Sequence, residues 1–149
     1  MPLEAHLAGF AQLDARTLYD LLRLRVDVFV VEQECAYPEL DGRDLEPDTR
    51  HLWLTRDGEP VAYLRVLAEP DGGRRIGRVV VARTARGGGL AGRLLTEALT
   101  LVGDRACVLS AQSHLVALYA RHGFVPVGAE YLEDGIPHVP MRRAGHTST

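Results

Sequence analysis

The stretch RVVVARTARGGGLAG, residues 78–92, carries the strongest structural signal in this chain. Its valine run, residues 79–81, is typical of a strand, and the glycines at 87–89 lead into the apolar spacing of a helix. Glycine lets the backbone approach a ligand closely, and the free N–H groups of a helix N-terminus attract an anion. The stretch therefore predicts a backbone cradle for an anion, and we expect that anion to be a pyrophosphate.

The glycine spacing fits two different ligands. Residues 87–92 match the dinucleotide fingerprint G-x-G-x-x-G, whereas residues 86–91 match the acyl-CoA signature Q/R-x-x-G-x-G/A. A dinucleotide fold places its glycines directly after the strand and an acidic residue at the end of the next strand. Here residues 82–85 intervene, and the next predicted strand, 107–110, is followed by Ala-Gln. The context favours the acyl-CoA signature over an oxidoreductase, and the lack of any lysine excludes a Walker P-loop.

The length of 149 residues and the composition, with 46% apolar and 25% charged residues, are typical of one globular domain. We predict a single domain over residues 1–144 and a disordered tail over 145–149. No apolar run has membrane-spanning length, and the N-terminus lacks a signal-peptide pattern. These features predict a cytoplasmic protein without a membrane partner, in which Cys35 and Cys107 are free thiols. The net charge of −3 and the lack of a basic helix argue against a nucleic-acid partner.

Charged residues are distributed unevenly along the chain. Residues 32–48 contain seven acids and one base, Arg43, whereas residues 74–93 contain six arginines and no acid. An acidic region beside a basic one suits a basic substrate opposite a phosphate-rich cofactor. Any single carboxylate of the acidic segment can instead belong to a solvated loop.

Periodicity and turn signals predict an alternation of strands and helices. Asp14 is a predicted N-cap for a first helix that extends to Phe29, Gly123 is a predicted C-cap, and Asp134-Gly135 predicts a hairpin turn. The other helices are predicted at 90–102 and 113–121, and the strands at 7–10, 51–55, 61–67, 75–81, 107–110, 125–129 and 138–141. This order predicts a mixed α/β layer fold with a strand–helix–strand unit in the middle.

Two motifs, in this order, resemble those of the GNAT superfamily of N-acetyltransferases. Residues 79–81 with 86–91 look like the acetyl-CoA motif of that family, and residues 118–124, LYARHGF, look like its later Leu-Tyr-x-x-x-Gly-Phe motif. A narrower resemblance to the ElaA-like branch is carried by residues 24–33 (LRVDVFVVEQ), 41–42, 50–51 and 133–138. The pattern Arg-x-x-x-Phe-x-x-Glu-Gln within the first of these is also similar to acyl-homoserine-lactone synthases, which share the fold.

The resemblance implies an α/β (α+β) fold, in which a mixed and mostly antiparallel sheet has a central parallel strand pair and flanking helices. It also implies transfer of the acetyl group of acetyl-CoA to a primary amine, without a metal. In that family the pyrophosphate lies on the glycine loop and pantetheine pairs with the strand before it; an N–H near Val81 would hold the developing oxyanion. The residues that would bind the cofactor here are Val79, Val80, Val81, Arg86, Gly87, Gly88, Gly89, Leu90, Ala91, Gly92 and Gln112.

The resemblance also implies catalytic residues. Tyr119 matches the family's tyrosine, which acts as general acid toward the leaving thiolate. Many relatives carry a Glu on the strand equivalent to residues 75–81, and that strand has no acid here. Glu32, His51 and His138 are therefore the candidate bases. Glu32 can instead anchor its loop, and His51 can have a structural role between strands.

Several alternatives remain open at this level. Gln112 stands where many family members carry Asn, so its contact with pantetheine is undecided. A non-catalytic acyl-CoA sensor and an acyltransferase similar to the acyl-homoserine-lactone synthases are alternatives to the acetyltransferase. The acceptor is either a small molecule or a peptide, and an exposed edge strand would support a homodimer.

Overall fold

One mixed sheet of eight strands organises the chain, and the computed structural model describes residues 2–146. The strands are β1 Leu3–Ala8, β2 Arg50–Arg56, β3 Glu59–Ala68, β4 Arg74–Val81, β5 Cys107–Gln112, β6 Val125–Pro126, β7 Tyr131–Glu133 and β8 Ile136–Arg143. Their spatial order is β1-β2-β3-β4-β5-β8-β6, and β7 pairs with β8. The β4–β5 pair is parallel and the other pairs are antiparallel. This arrangement confirms the predicted fold class.

The two long helices lie on opposite faces of the sheet. The helices are α1 Ala15–Val26, α2 Leu90–Val102 and α3 Val116–Ala120. Along β3, Leu64 and Val66 pack with α2 in one apolar core, whereas Tyr63 packs with α1 in a second core. We call these two sides the α2 face and the α1 face. None of the helices within residues 2–146 is long and apolar enough to span a membrane.

Helix α1 begins where its sequence predicts. The Asp14 side chain accepts a hydrogen bond from the Thr17 N–H at 2.7 Å, which satisfies one free N–H group of the first turn. The helix that was predicted to reach Phe29 ends at Val26 and continues as a π-helical segment, Asp27–Glu32. Apolar spacing over a single turn does not distinguish an α-helix from this wider form.

The structure corrects three predicted elements and adds one. Strand β1 begins earlier than the predicted 7–10, because it is an edge strand whose mostly exposed side chains carry little alternation. The strand predicted at 125–129 is reduced to β6, and the helix predicted at 113–121 is a 3₁₀ turn followed by α3. The unpredicted β7 joins β8 through the Asp134-Gly135 turn, where both residues have positive φ, +50° and +79°. That conformation is the reason for the Asp-Gly hairpin signal.

Strand β4 contains a bulge at Arg78. Tyr63 pairs with Val80 and Arg65 pairs with Gly77. The interval from 63 to 65 on β3 therefore lies opposite the interval from 77 to 80 on β4, which contains one extra residue. Arg78 has a φ of +54°, an uncommon value for a residue with a Cβ atom. Because one residue is inserted, Val80 faces α1 and Val79 faces α2, which is the reverse of regular alternation from Ile76.

Strands β4 and β5 diverge soon after they begin. Within the described residues their ladder consists of two pairs, Arg74 with Cys107 and Arg75 with Val108. Beyond these pairs β5 continues beside β8, as far as the pairing of Gln112 with His138. The divergence leaves the β5-facing edge of β4 without ladder partners from Ile76 onward and opens a cleft through the middle of the sheet.

A buried network of charges attaches the loop after the π-helical segment to the α1 face. Arg25 of α1, only 1% exposed, donates to Glu39 at 2.7 Å and to Asp44 at 2.9 Å. Arg65 of β3 donates to Asp41 at 2.9 Å and to Asp44 at 3.1 Å. Burial alone would raise the pKa of Asp44, but Arg25 and Arg65 outweigh it and lower that pKa. The network therefore joins α1, the loop and β3 into one unit.

The C-terminal end of the described chain is held close to the start of β5. The backbone N–H of His146 donates to the carbonyl of Asp104 at 2.9 Å. The rest of the predicted tail, residues 147–149, lies outside the described residues. Cys35 and Cys107 are both buried free thiols, as the sequence predicted.

Replacing Arg25 by Met should lower the free energy of unfolding by about 3–5 kcal/mol, because Glu39 and Asp44 would stay buried without a counter-charge. Urea unfolding at neutral pH measures this loss. The matched control is Arg23→Met on the same helix. Arg23 is 72% exposed in its side chain and lies 3.8 Å from Asp27, so that change should stay within about 0.5 kcal/mol. Equal losses in the two variants would contradict the role of the network.

Candidate active site

A cavity of about 310 Å³ occupies the cleft between β4 and β5. Its walls come from β4, β5, the loop after α1, helix α3 and the β7–β8 hairpin. This volume is at the lower end of the range for small-molecule sites. Both Tyr119 and His138 line the cavity, so the structure brings together two of the four predicted catalytic residues.

Tyr119 reaches the cavity from α3. It is 5% exposed and packs edge-to-face against Phe124, with ring centroids 6.3 Å apart. Burial raises the pKa of the Tyr119 hydroxyl to about 12. The hydroxyl has no hydrogen-bond partner within the part of the chain that the structure describes. Tyr119 is thus protonated at neutral pH and available to donate a proton.

His138 reaches the cavity from β8, where its Cα pairs with that of Gln112. Its Nδ1 lies 2.7 Å from the carbonyl oxygen of Ile136. A carbonyl only accepts hydrogen bonds, so Nδ1 carries the proton and donates it. When the ring is neutral, the lone pair is therefore on Nε2, which lies 3.5 Å from a carboxylate oxygen of Glu133. Nε2 is thus the ring nitrogen that could accept a proton.

Tyr119 and His138 approach the cavity from opposite faces of the sheet. Tyr119 belongs to the apolar core of the α2 face together with Leu109 and Ala111 of β5. Side chains alternate along a strand, so Gln112 points to the α1 face, and His138 lies beside it there. The cleft between β4 and β5 connects the two faces. A candidate proton donor and a candidate proton acceptor thus reach one cavity from two sides.

Gln112 contacts the π-helical end of α1 rather than standing free in the cleft. Its amide lies against that of Gln33, with nitrogen–oxygen distances of 3.4 and 3.5 Å in the two directions. Both glutamines line the cavity. Gln112 therefore joins the end of β5 to the residue that follows the π-helical segment, at the α1 face of the cavity.

The glycine loop forms an open cradle in front of α2. Gly87 and Gly89 have φ angles of +87° and +75°, and a Cβ atom added at either would meet nothing within 4 Å. Gly89 is the N-cap of α2 and offers no side chain to cap it. No backbone N–H of residues 87–92 has a hydrogen-bond partner among the described residues. These free donors fit the pyrophosphate of an acyl-CoA.

Arg86 and Glu32 form an ion pair beside this cradle. The two terminal guanidinium nitrogens of Arg86 lie 2.5 and 2.9 Å from the carboxylate oxygens of Glu32. The hydrogen bonds from Arg86 lower the pKa of Glu32. Glu32 does not belong to the cavity wall. The structure therefore pairs a predicted base with a predicted cofactor-binding residue, and the pair ties the π-helical segment to the cradle.

The structure does not bring His51 to the cavity. His51 is 2% exposed, and its Nδ1 accepts a hydrogen bond from the hydroxyl of Tyr63 at 2.6 Å. Its Nε2 donates to the backbone carbonyl of Asp44 at 3.2 Å. Both ring nitrogens are engaged inside the charge network. These contacts support the structural alternative for His51 and not direct proton transfer.

The acidic segment does not present a free negative surface, which corrects the expectation from its composition. Five of its seven acids, residues 32, 39, 41, 44 and 46, form ion pairs with arginines of the same chain. Arg25, which sequence analysis missed, is a centre of this pairing. The sequence did carry a signal for this role: Arg25 lies four residues after Leu21, on the apolar side of α1. A buried arginine at such a position requires carboxylate partners.

The fold and the cleft place the chain in the class of acyl-CoA N-acyltransferases. Comparisons with known proteins agree with this class. The model described as "Acetyltransferase (GNAT) domain" matches residues 7–144. The chain therefore belongs to the GNAT acetyltransferase family. It is 60% identical to a UPF0039 protein of Mycobacterium tuberculosis over 137 residues, which are 89% of this chain and 88% of that protein. It is 42% identical to the protein ElaA of Escherichia coli over 139 residues, covering 89% and 91% of the two chains.

Two solved structures are also similar over nearly their whole length. A crystal structure of an acyl-CoA N-acyltransferase from Pseudomonas aeruginosa has a TM-score of 0.91 and 49% identity, covering 96% of this chain and 100% of that one. The crystal structure of Escherichia coli ElaA has a TM-score of 0.90 and 39% identity, covering 95% and 99%. These matches confirm the resemblance to the ElaA-like branch.

Replacing His51 by Gln should reduce the pH dependence of stability between about pH 7.5 and 5.5. Burial lowers the pKa of His51 below its ordinary value of 6.5, although Asp44 opposes this effect. As the pH falls through about 6.5, the unfolded chain therefore binds a proton at His51 before the folded chain does. The free energy of unfolding of the unmodified protein should fall by up to about 1.4 kcal/mol per pH unit from this residue.

Urea unfolding across the same pH range measures this slope. His114→Gln, at an exposed position, is the control and should keep the slope of the unmodified protein. An unchanged slope in His51→Gln would contradict the assignment of His51 as a buried neutral group.

Proposed function

We propose that the protein transfers the acetyl group of acetyl-CoA to a primary amine, in the cytoplasm. The single observation that carries this proposal is the cavity that crosses the sheet through the β4–β5 cleft, with Tyr119 on one face and His138 on the other. Acyl transfer to an amine requires one group that takes a proton from nitrogen and one that gives a proton to sulfur. The buried Tyr119 hydroxyl is protonated, and the neutral His138 ring has its acceptor nitrogen at Nε2, because Nδ1 donates to the Ile136 carbonyl.

The chain offers a continuous binding surface for acetyl-CoA. The free N–H groups of residues 87–92 would hold the pyrophosphate, with support from the helix dipole of α2. The unpaired edge of β4 from Ile76 onward would hydrogen-bond the pantetheine amides, much as another strand would. Val79, Val80 and Val81 would take part through their backbone, since the Val80 side chain is buried against α1. Arg86 would add positive charge while Glu32 keeps its guanidinium in place.

The reaction would proceed across the cleft. An amine on the α1 face gives up a proton to Nε2 of His138 as its nitrogen bonds to the acyl carbon. The carbon–sulfur bond then breaks, and Tyr119 donates its hydroxyl proton to the leaving sulfur on the α2 face. The developing negative charge on the acyl oxygen needs a backbone N–H. We favour the Val81 N–H for this donor, because the next N–H, that of Ala82, bonds the Val61 carbonyl at 2.8 Å. In the alternating antiparallel ladder the Val81 N–H therefore points away from β3, toward the unpaired edge of β4.

Replacing Tyr119 by Phe or His138 by Gln should lower kcat by about 100-fold or more, since each change removes one proton-transfer group. The measurement is free thiol release from acetyl-CoA across a panel of primary amines. The dissociation constant for acetyl-CoA, from calorimetry, should stay within about twofold. Unchanged turnover in either variant would remove that residue from the mechanism. Tight cofactor binding by the unmodified protein, with no turnover on any amine, would favour a non-catalytic acyl-CoA sensor.

Replacing Gly89 by Val should weaken acetyl-CoA binding about tenfold or more, because the side chain would obstruct the cradle and strain a position with positive φ. Gly58→Val is the matched control. Gly58 lies in the exposed β2–β3 turn with a φ of +78° and nothing within 4 Å of an added Cβ, so that variant has similar strain without contact to the cofactor. Calorimetric titration should give unchanged affinity for the control. Equal affinities in both variants would refute the location of the pyrophosphate.

A further inference from the structure

The cavity has two chemically different ends on the α1 face. At one end the Nε2 of His138 lies 3.5 Å from a carboxylate oxygen of Glu133, and Asp134 also lines the cavity, an environment that suits an amine. At the other end four arginines contribute to the cavity wall, namely Arg43, Arg65, Arg75 and Arg78. The proposed acetyl transfer uses the first end and leaves the arginine end without a role.

At the arginine end, the carboxylate of Asp41 already accepts hydrogen bonds from groups of the same chain. Asp41 accepts hydrogen bonds from Arg65 at 2.9 and 2.5 Å and from the backbone N–H of Arg43 at 3.0 Å. Arg78 adds a longer contact to the same carboxylate at 3.5 Å. These bonds also occupy the terminal nitrogens of Arg65, which is 3% exposed. This end of the cavity can therefore offer hydrogen-bond donors to a ligand but few acceptors.

Arg75 is the arginine that keeps its terminal nitrogens free. Its Nε donates to Glu69 at 2.7 Å, and both terminal nitrogens lack a partner within the described residues. By contrast, Arg78 uses Nε and one terminal nitrogen on Glu39, and Arg43 uses the same two groups on Glu46. Arg75 is 37% exposed in its side chain and lies on the α1 face beside the point where β4 and β5 separate. Glu69 holds it from one side and so orients the free end.

We propose that the acceptor is a small amino acid-like molecule, whose carboxylate binds to the free end of Arg75 while its amine lies beside His138. This inference rests on the proposed acetyl transfer and names the substrate class of that site. A guanidinium presents two parallel N–H groups that match the two oxygens of a carboxylate. Glu69 already pairs with Arg75 at 2.7 Å, so the free N–H groups can hydrogen-bond a singly charged carboxylate, whereas a phosphate dianion would need a second free cation. The cavity of about 310 Å³ has room for a small molecule.

Matched pairs of amines test this inference. Thiol release from acetyl-CoA is measured with each standard amino acid and with its carboxamide, which has nearly the same shape without the negative charge. The unmodified protein should show a KM for its preferred amino acid that is about tenfold or more below that for the carboxamide. Arg75→Gln should raise the KM for the acid to that of the carboxamide and leave kcat within about twofold. Arg75→Lys should restore part of the preference.

Arg74→Gln is the matched control. Arg74 precedes Arg75 on β4 and points to the other face; within the described residues its side chain donates to the carbonyls of Gly72 and Gly73. This variant should keep the preference for the acid. Equal turnover of acids and carboxamides in the unmodified protein, or a preference that survives Arg75→Gln, would overturn the inference and leave the acetyltransferase proposal intact.

A second readout separates the two proposals if no amine is acetylated. In that case the acetyltransferase proposal fails, and calorimetric titration of the same amino acids and carboxamides tests the carboxylate site alone. Selective binding of an amino acid that Arg75→Gln abolishes would still support the site. Absence of selective binding would overturn the carboxylate site as well.

Discussion

The early divergence of β4 and β5 is the constraint on which the site depends. Within the described residues two residue pairs join the parallel strands, and beyond them β5 follows β8 instead. The sheet thus remains one layer at its base and opens toward the glycine cradle. A fully paired sheet would satisfy more backbone groups, but it would separate the two faces and leave β4 no free edge for a ligand. The unpaired edge has a structural cost, and pairing with an extended ligand would offset it.

The buried charges give the α1 face its shape. Without Arg25 and Arg65, the acidic loop over that face would repel itself, because Glu39, Asp41 and Asp44 lie close together. With them, the loop is neutralised and lies against β3 and β4, where it forms one wall of the cavity. Buried ion pairs add little net stability but strongly penalise the loss of one partner. The network therefore specifies the position of the loop more than it stabilises the fold.

The division of the cavity between two faces separates two proton-transfer tasks. The α2 face has the apolar surroundings that keep Tyr119 protonated, and on the α1 face the hydrogen bond from Nδ1 to Ile136 leaves Nε2 of a neutral His138 ring as its proton acceptor. The bulge at Arg78 contributes to both faces, since the inserted residue directs Val79 toward α2 and Arg78 toward the loop. On the α1 face, the Glu133 carboxylate lies beside His138, and four arginines contribute to the far end of the cavity. An acceptor that bears both an amine and a carboxylate matches this polarity.

The sequence by itself determined the glycine cradle, the Asp14 cap, the Asp134-Gly135 hairpin and the family, because each depends on residue types within a few positions of one another. It also singled out Tyr119 and His138, although not their arrangement. Only the tertiary structure decided which charged residues are free. Arg86 engages Glu32, Asp44 engages Arg65, and the terminal nitrogens of Arg75 have no partner in the described part of the chain. These outcomes depend on contacts between residues far apart in the chain, and local periodicity carries no information about such contacts.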